Sequence, residues 1–454
     1  MGKYFGTDGF RGEAGVDLTA EHAFKIGRYL GHYLNVEKRE KEQTRARAVI
    51  GKDTRLSSYM LEYAIASGLA SSGVDVYLLH VTTTPSISYI TLREGFDIGI
   101  MITASHNPFS DNGIKIIDGE GRKLGDKLTD KIEEYLDSSR DVIDFVKGAD
   151  VGRICDHYAG RNSYVGRLIS SASSSYKGLK IGLDAANGAA FSIARSVFAA
   201  LGAEIYSIGD EPNGLNVNYN CGSTQPDRLA RLIKDKKLDV GFAFDGDADR
   251  CIAVDENGNI TDGDKIMYIL ARRLKRNKSL RGNKIVATVM SNGGLTKSLA
   301  RDGISVEITN VGDRFVYEKM CEEEIVLGGE ESGHIIMSDL STTGDGILTA
   351  IMLTEEMLDT GMKLSELYRG LTVYPKRNES VKVKDKASAI HDEDLCLFIS
   401  VLTGEEREGL RILVRESGTE PKIRIMVEAK TQFECDGITE SIISILQSKG
   451  YIDE

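Results

Sequence analysis

In the stretch FDGDADR, Asp245, Asp247 and Asp249 alternate with small residues directly after the apolar run VGFAF. Carboxylates two apart at a strand end can turn toward one point, and three hard oxygens suit Mg²⁺ or Ca²⁺. The spacing also fits the first three ligands of an EF-hand loop with Glu256 as the last. Arg250 stands where that loop needs glycine and both flanks read as strands, so the EF-hand is rejected. A second stretch, VRESGTEPKIR, sets Arg415, Ser417, Gly418, Thr419, Lys422 and Arg424 around one turn between two strands. Freed backbone amides, two hydroxyls and a guanidinium fork are what a phosphate monoester needs. In LGGEESGHI, Gly328 and Gly329 precede Glu330, Glu331, Ser332 and His334. Such acceptors suit sugar hydroxyls, and a neutral imidazole can move a proton near neutral pH. FGTDGFRG, with Asp8 and Arg11, and VGDRF at 311–315 leave their role open.

MITASHNPFSDNGIKI, residues 101–116, places Ser105 beside His106. Adjacent side chains on an extended chain point to opposite faces, so His106 is expected to be badly placed to take the Ser105 proton. No GxSxG elbow accompanies the serine. The carboxylate trio and the anion loop both point to phosphate, and a hydroxyl beside a divalent cation is a reasonable phosphate carrier. Phosphoryl transfer therefore leads over sugar-phosphate binding without chemistry.

Residues that far apart in the chain have to be brought together by a scaffold. Short β-branched runs alternate with helical stretches, the pattern of parallel sheets covered by helices. AVIGKD, VDVYLLHV and FDIGIMIT read as buried strands, and Ala23, Ile26, Leu30 and Tyr33 line one helix face. VIGKDTR, IGLDAANG and IVATVMSN each put a strand before a polar turn and a helix, an internal repeat of about a hundred residues. After Pro375 the pattern changes: ESVKVK, a helix around 387–402, LRILVRES, KIRIMVEA and a final helix from about 431 make an α+β unit. The expected fold is three similar α/β domains with mixed, largely parallel sheets plus a C-terminal α+β domain. Their expected bounds are 1–157, 158–262, 263–375 and 376–454.

A length of 454 residues suits several domains, and 41% hydrophobic with 28% charged residues argues against disorder. The net charge of −12 argues against nucleic acid or an anionic membrane as partner, while local Arg and Lys still permit small anionic substrates. Six scattered cysteines without a CxxC pair fit reduced thiols. With no apolar signal core at the start and no run near the roughly 18 residues that span a bilayer, a cytoplasmic protein is expected.

TASHNP with NGIK, DGDADR, GEESGH and RESGTEPKIR occur in an order and spacing that resemble the α-D-phosphohexomutase superfamily. The resemblance runs from about residue 2 to the last helix. YFGTDGFRG, VMSNGG, VGDRFVYEKM and TTGDGIL are most similar to its bacterial branch acting on glucosamine phosphates. It implies four domains around a central cleft, each contributing one loop. It also implies a phosphate carried on Ser105 and one Mg²⁺ per chain, held by that phosphoryl group with Asp245, Asp247 and Asp249. The implied reaction interconverts glucosamine 6-phosphate and glucosamine 1-phosphate, feeding UDP-N-acetylglucosamine and peptidoglycan synthesis. Glucosamine or glucose 1,6-bisphosphate is the implied intermediate and activator. In this scheme Arg11 and Lys115 clamp the moving phosphoryl group, and Lys115 or His334 shuttles the proton. Glu330 and Ser332 grip the sugar, while Arg415, Ser417, Gly418, Thr419 and Arg424 anchor the resting phosphate. His106 and Arg250 line the site, and a homodimer is left open. Glu331, Glu416 and NGIKII depart from the usual pattern of that branch. The alternatives are a phosphoglucomutase or phosphomannomutase on the same chemistry and, from another class, a non-catalytic sugar-phosphate binding protein.

Overall fold

The computed structural model describes residues 3–6, 8–40, 45–138, 141, 143–404, 407–416 and 421–452. They form two compact units, Met1–Met290 with Val306–Arg369 and Ser291–Ser305 with Gly370–Glu454.

The first sheet contains β1 (Phe5–Gly6), β2 (Gly9–Glu13), β3 (Arg47–Lys52), β4 (Asp75–Val81), β5 (Ile98–Ile102), β6 (Asp111–Asp118) and β7 (Ile154–Asp156), ordered β1-β2-β6-β5-β3-β4-β7. β3 runs parallel to β4 and β5, and β6 closes antiparallel on β5. β5 is buried along its whole length, as a central strand covered on both faces should be, which explains its unbroken apolar run. Helices α1 (Ala20–Glu40), α2 (Leu56–Ala70), α3 (Thr84–Glu94) and α4 (Asp126–Asp137) accompany this sheet. α1 and α2 meet at Gly27 and Gly68, where a Cβ on either would collide with a carbonyl of the other helix, Ile65 or Phe24. DNGIKIID, which carries no periodic signal of its own, is β6 and brings Lys115 next to β5.

The second sheet holds β8 (Lys180–Asp184), β9 (Glu204–Ile208), β10 (Val240–Phe244), β11 (Cys251–Val254) and β12 (Ile260–Thr261), with helices α5 (Tyr158–Ser171), α6 (Ala190–Leu201) and α7 (Asp227–Lys236). β10 and β11 pair antiparallel on either side of the aspartate loop, the strand flanks that spoke against an EF-hand. The third holds β13 (Lys284–Thr288), β14 (Ser305–Thr309), β15 (Leu327–Gly329) and β16 (Ile335–Met337). Its helices are α8 (Gly263–Arg276), α10 (Asp313–Glu322), α11 (Gly346–Thr360) and α12 (Leu364–Leu367), and α9 (Gly293–Arg301) follows β13 in the chain. The three repeat openings are β3 to α2, β8 to α6 and β13 to α9, each a strand, a turn and a helix.

In the smaller unit β17 (Lys376–Lys382), β18 (Arg411–Glu416) and β19 (Lys422–Glu428) form an antiparallel sheet with β19 central. α9 belongs to this unit. The buried Glu428 carboxylate accepts the Gly293 N–H at 2.9 and 3.1 Å, a negative charge at the positive end of that helix. The single helix expected around 387–402 is two, α13 (Lys386–Ile390) and α14 (Glu393–Thr403), followed by α15 (Gln432–Ser448). Asp392 breaks it by accepting the N–H groups of Asp394 and Leu395 at 3.0 and 3.1 Å, which starts a new helix. Among the described residues no helix is long and apolar enough to cross a membrane.

Candidate active site

Three residues after β5, the backbone of Ser105 adopts φ 51°, a left-handed conformation that a serine does not favour unaided. Its surroundings supply the hold. The Ser105 N–H donates to Thr103 Oγ1 at 2.9 Å, and the Thr103 hydroxyl donates to Asp53 Oδ2 at 2.7 Å. The fully buried Arg55 donates to the carbonyls of Ser105 and Asn107 at 2.9 Å each and of Asp111 at 3.0 Å, and also to that of Pro108. Its Nε pairs with Asp53 at 2.8 Å. Asn218 adds bonds to the Ser105 and Asn107 carbonyls at 2.8 and 3.0 Å. A Cβ on Gly246 would stand 2.5 Å from the Ser105 carbonyl oxygen, so glycine is required for that close approach.

This turn corrects the expectation for His106. The chain is not extended at Ser105, and His106 Nδ1 comes within 3.3 Å of Ser105 Oγ. The hydroxyl nevertheless donates to Asp245 Oδ2 at 2.6 Å. Burial, with Arg250 and Arg11 nearby, pushes His106 down to about 4, so it is neutral near pH 7.

Asp245, Asp247 and Asp249 each turn a carboxylate oxygen into a cluster whose ligand atoms lie within 4.8 Å of one another, all three residues buried. Asp245 accepts the Arg250 N–H at 3.2 Å. Lys115 Nζ reaches Asp247 Oδ2 at 2.8 Å and Asp249 Oδ2 at 3.0 Å, and the Thr84 hydroxyl also bonds Asp247. Asp247 Oδ1 and Asp249 Oδ1 are buried without a hydrogen bond among the described residues. Hard oxygens, buried and without a hydrogen bond, fit a divalent cation. Burial and the two neighbouring carboxylates push Asp245 well above the usual carboxylate range. Burial works the same way on Asp249, but Lys115, His334 and Arg250 outweigh it and hold that carboxyl well below. Lys115 is raised well above an ordinary lysine, because Asp247, Asp249 and Asp8 overcome the cost of burying it.

The turn between β15 and β16 presents Glu330, Ser332 and His334. Glu330 Oε1 accepts the Gly312 N–H at 3.0 Å, tying this turn to the one before α10. His334 Nδ1 lies 3.7 Å from Asp249 Oδ1, while Nε2 accepts the Gly344 N–H at 3.1 Å and is 3.5 Å from Asp313. Burial lowers His334, but Asp249, Asp313 and Glu330 raise it more. Arg11 pairs with Asp8, which also receives Lys123 at 2.5 Å and Lys115 at 3.4 Å. Arg11 Nε, Arg250 Nε and Ser332 Oγ are buried without a hydrogen bond among the described residues. The structure thus brings Ser105, His106, Lys115, Arg11, the three aspartates, Arg250 and the Glu330–His334 turn into one contact network. Sequence reasoning missed Asn218, Thr84 and Lys123, which sit in no motif of their own, and Arg55, which was quoted only as the end of the repeat opening VIGKDTR. Asp313 was visible only as part of VGDRF.

In the smaller unit Arg415 and Arg424 face each other in register on adjacent strands. Burial and the Arg424 charge lower Arg415, since like charges directly opposite destabilise each other and favour an anion between them. Ser417, Gly418 and Thr419 lie outside the described residues.

Family models of phosphoglucomutase/phosphomannomutase match this chain throughout: alpha/beta/alpha domain I over 2–142, domain II over 162–258, domain III over 262–374 and the C-terminal domain over 376–444. Phosphoglucosamine mutase of Lachnospira eligens is 51% identical, over 99% of this chain and 100% of the relative. That of Streptococcus pneumoniae is 46% identical over the full length of both. Among solved structures, a phosphoglucomutase/phosphomannomutase family protein from Burkholderia thailandensis superimposes with a TM-score of 0.78 at 26% identity, covering 99% of this chain and 98% of the other. Aspergillus fumigatus N-acetylphosphoglucosamine mutase, solved with GlcNAc-6P and magnesium, shares the fold with a TM-score of 0.68 at 17% identity, covering 98% and 95%. With four domain models in order and full-length relatives at this identity, the chain belongs to the phosphoglucomutase/phosphomannomutase family of the α-D-phosphohexomutase superfamily.

Proposed function

We propose that the chain is a phosphoglucosamine mutase, an isomerase of the phosphotransferase type. It interconverts glucosamine 6-phosphate and glucosamine 1-phosphate through a phosphoserine at Ser105 and a 1,6-bisphosphate, and feeds UDP-N-acetylglucosamine and peptidoglycan synthesis. The observation that carries this reading is Ser105 Oγ at 2.6 Å from Asp245, inside a buried carboxylate trio with two oxygens that accept no hydrogen bond among the described residues. Asp245, Asp247 and Asp249, with the phosphoryl group on Ser105, would hold Mg²⁺, which supplies charge neutralisation during phosphoryl transfer. Arg11 and Arg250 bring buried guanidinium donors to the same cleft. We assign the proton to Lys115: burial alone would push that proton off, and only three carboxylates retain it, so its basicity answers to whatever else those carboxylates bind. His334, fixed by the Gly344 N–H, orients Asp249. Glu330 and Ser332 bind the sugar. Arg415 and Arg424, with Ser417, Gly418 and Thr419, bind the phosphate that is not reacting.

The four domains take the bounds 1–157, 158–262, 263–375 and 376–454, in the cytoplasm, where six unpaired cysteines are at home. Glucosamine or glucose 1,6-bisphosphate primes Ser105. A homodimer through the first domain is supported by Leu56, Met60 and Tyr63, an exposed apolar stripe on α2. Light scattering of Tyr63→Lys against the parent tests it, and a parent that scatters as a monomer refutes it. The test of function compares rates with glucosamine, glucose and mannose 1-phosphates, with Mg²⁺ or with EDTA, in parent and Ser105→Ala. Glucosamine 1-phosphate should be fastest, with no turnover in Ser105→Ala or in EDTA. Turnover by Ser105→Ala, or a full rate in EDTA, sinks the reading.

A further inference from the structure

The carboxylates of the cleft differ in how far their partners occupy them. Asp8 is shared by Arg11, Lys123 and Lys115. Asp245 receives Ser105 and Arg250, and Asp247 and Asp249 face Lys115. Asp313 differs. Among the described residues its Oδ1 accepts a hydrogen bond from the adjacent Arg314 N–H at 2.9 Å alone, and its Oδ2 meets Lys123 at 2.6 Å, a cation it shares with Asp8, and more distantly His334 Nε2 at 3.5 Å. It lines a cavity of about 400 Å³ together with Lys115, Lys123, Thr84 and Thr343, a volume that suits a hexose phosphate. Asp313 also stands next to the sugar-facing turn, because Gly312 beside it donates to Glu330 and His334 lies 3.5 Å away.

A hexosamine phosphate differs from a hexose phosphate at carbon 2, where a compact ammonium with three donors replaces a hydroxyl with one. A carboxylate distinguishes the two, since a charge-assisted bond is roughly twice as strong as a neutral one. Lys123 can turn wholly to Asp8 when a second ammonium arrives, so that no cation is displaced into apolar surroundings. We propose that Asp313 receives the carbon-2 ammonium of the substrate and sets the preference for hexosamine over hexose phosphates. The inference rests on the mutase reading of this cleft.

The experiment measures kcat/KM for glucosamine 1-phosphate and glucose 1-phosphate in the parent, in Asp313→Asn and in Asp313→Ser, all with Mg²⁺ and bisphosphate. The ratio of the two values should fall by about tenfold or more in both variants, the size expected when a charged hydrogen bond becomes a neutral one. In the parent, KM for glucosamine 1-phosphate should rise as the substrate ammonium titrates, and in Asp313→Asn that rise should flatten. A purely structural role would lower both substrates alike and leave the pH profile unchanged. A ratio within about twofold of the parent in both variants overturns the role of Asp313. A parent inactive on glucosamine phosphates overturns the mutase reading instead.

Discussion

Replacing Arg55 by Met should damage both the stability of the larger unit and its turnover. The guanidinium satisfies four carbonyls of the 105–111 turn and pairs with Asp53; Arg55, Asp53 and Ser105 are buried away from water, while Asn107 and Asp111 are half-buried and Pro108 is exposed. Hydrogen bonds to a charged group contribute about 1.5–3 kcal/mol each, but they are not additive, and breaking a buried ion pair costs about 3–5 kcal/mol. Taking about 4 kcal/mol as the whole, and roughly 2–4 °C per kcal/mol, Arg55→Met should melt about 8–16 °C lower. Ser105 would lose the hold on its left-handed backbone, and a displacement of about 1 Å at the reacting atom costs on the order of a hundredfold in kcat. Arg55→Lys keeps the charge and loses the fork, and should fall between parent and Met. Asn218 donates to two of the same carbonyls, so Asn218→Ala and Arg55→Met should be more damaging together than the sum of the two, by about 0.5–3 kcal/mol. Thermal melts, kcat with saturating bisphosphate and mass spectrometry of Ser105 phosphorylation read these effects. A melting shift under about 2 °C with unchanged kcat, or strict additivity with Asn218→Ala, would refute the reasoning.

Asp247→Asn removes one charge from the carboxylate cluster proposed to hold the cation, so the Mg²⁺ concentration for half-maximal rate should rise at least about tenfold; an unchanged Mg²⁺ titration would contradict the ligand role. Gly344→Ala would put a Cβ 2.5–2.6 Å from three atoms of the His334 ring, forcing the imidazole off its bond to the Gly344 N–H, and kcat should drop while the melting temperature holds. Equal loss of both would mean the clash is relieved by unfolding rather than by moving the ring. Burial pushes Asp345 up to about 6, against the bonds it accepts from Leu348 N–H and the Tyr164 hydroxyl. Between pH 4 and 6 the folded chain therefore keeps a proton that the unfolded chain has released, so this group's contribution to stability falls as pH rises through that window and is level above it. Asp345→Asn should accordingly gain on the parent by up to ~3 kcal/mol in urea titrations between pH 4 and 7, and a constant gap would exclude the shift.

The strands and helices that carry the motifs were readable because their signals are local. VGFAF, IGIMI and the polar turns after each repeat strand depend on burial pattern and turn chemistry within a few residues. The break at Asp392 was missed, because the polar stretch His391–Asp394 can also sit on the exposed face of one helix, and only the hydrogen bonds show Asp392 capping a second one. His106 was misplaced for a related reason: its position follows from the left-handed turn at Ser105, and that turn is held by Arg55, 50 residues earlier, and Asn218, 113 residues later.

The sequence by itself determined which groups are candidates for the site, since three alternating aspartates, a serine after a buried strand and a glycine-flanked Glu-Glu-Ser-Gly-His turn carry their chemistry in their residue types. It left the charge balance undecided. That Lys115 pairs with Asp247 and Asp249 and that Asp313 stands beside the Glu330–His334 turn are outcomes of tertiary structure. The Lys115 pairings span more than a hundred residues, and such a contact is set by how separately formed sheets dock, which no local periodicity records.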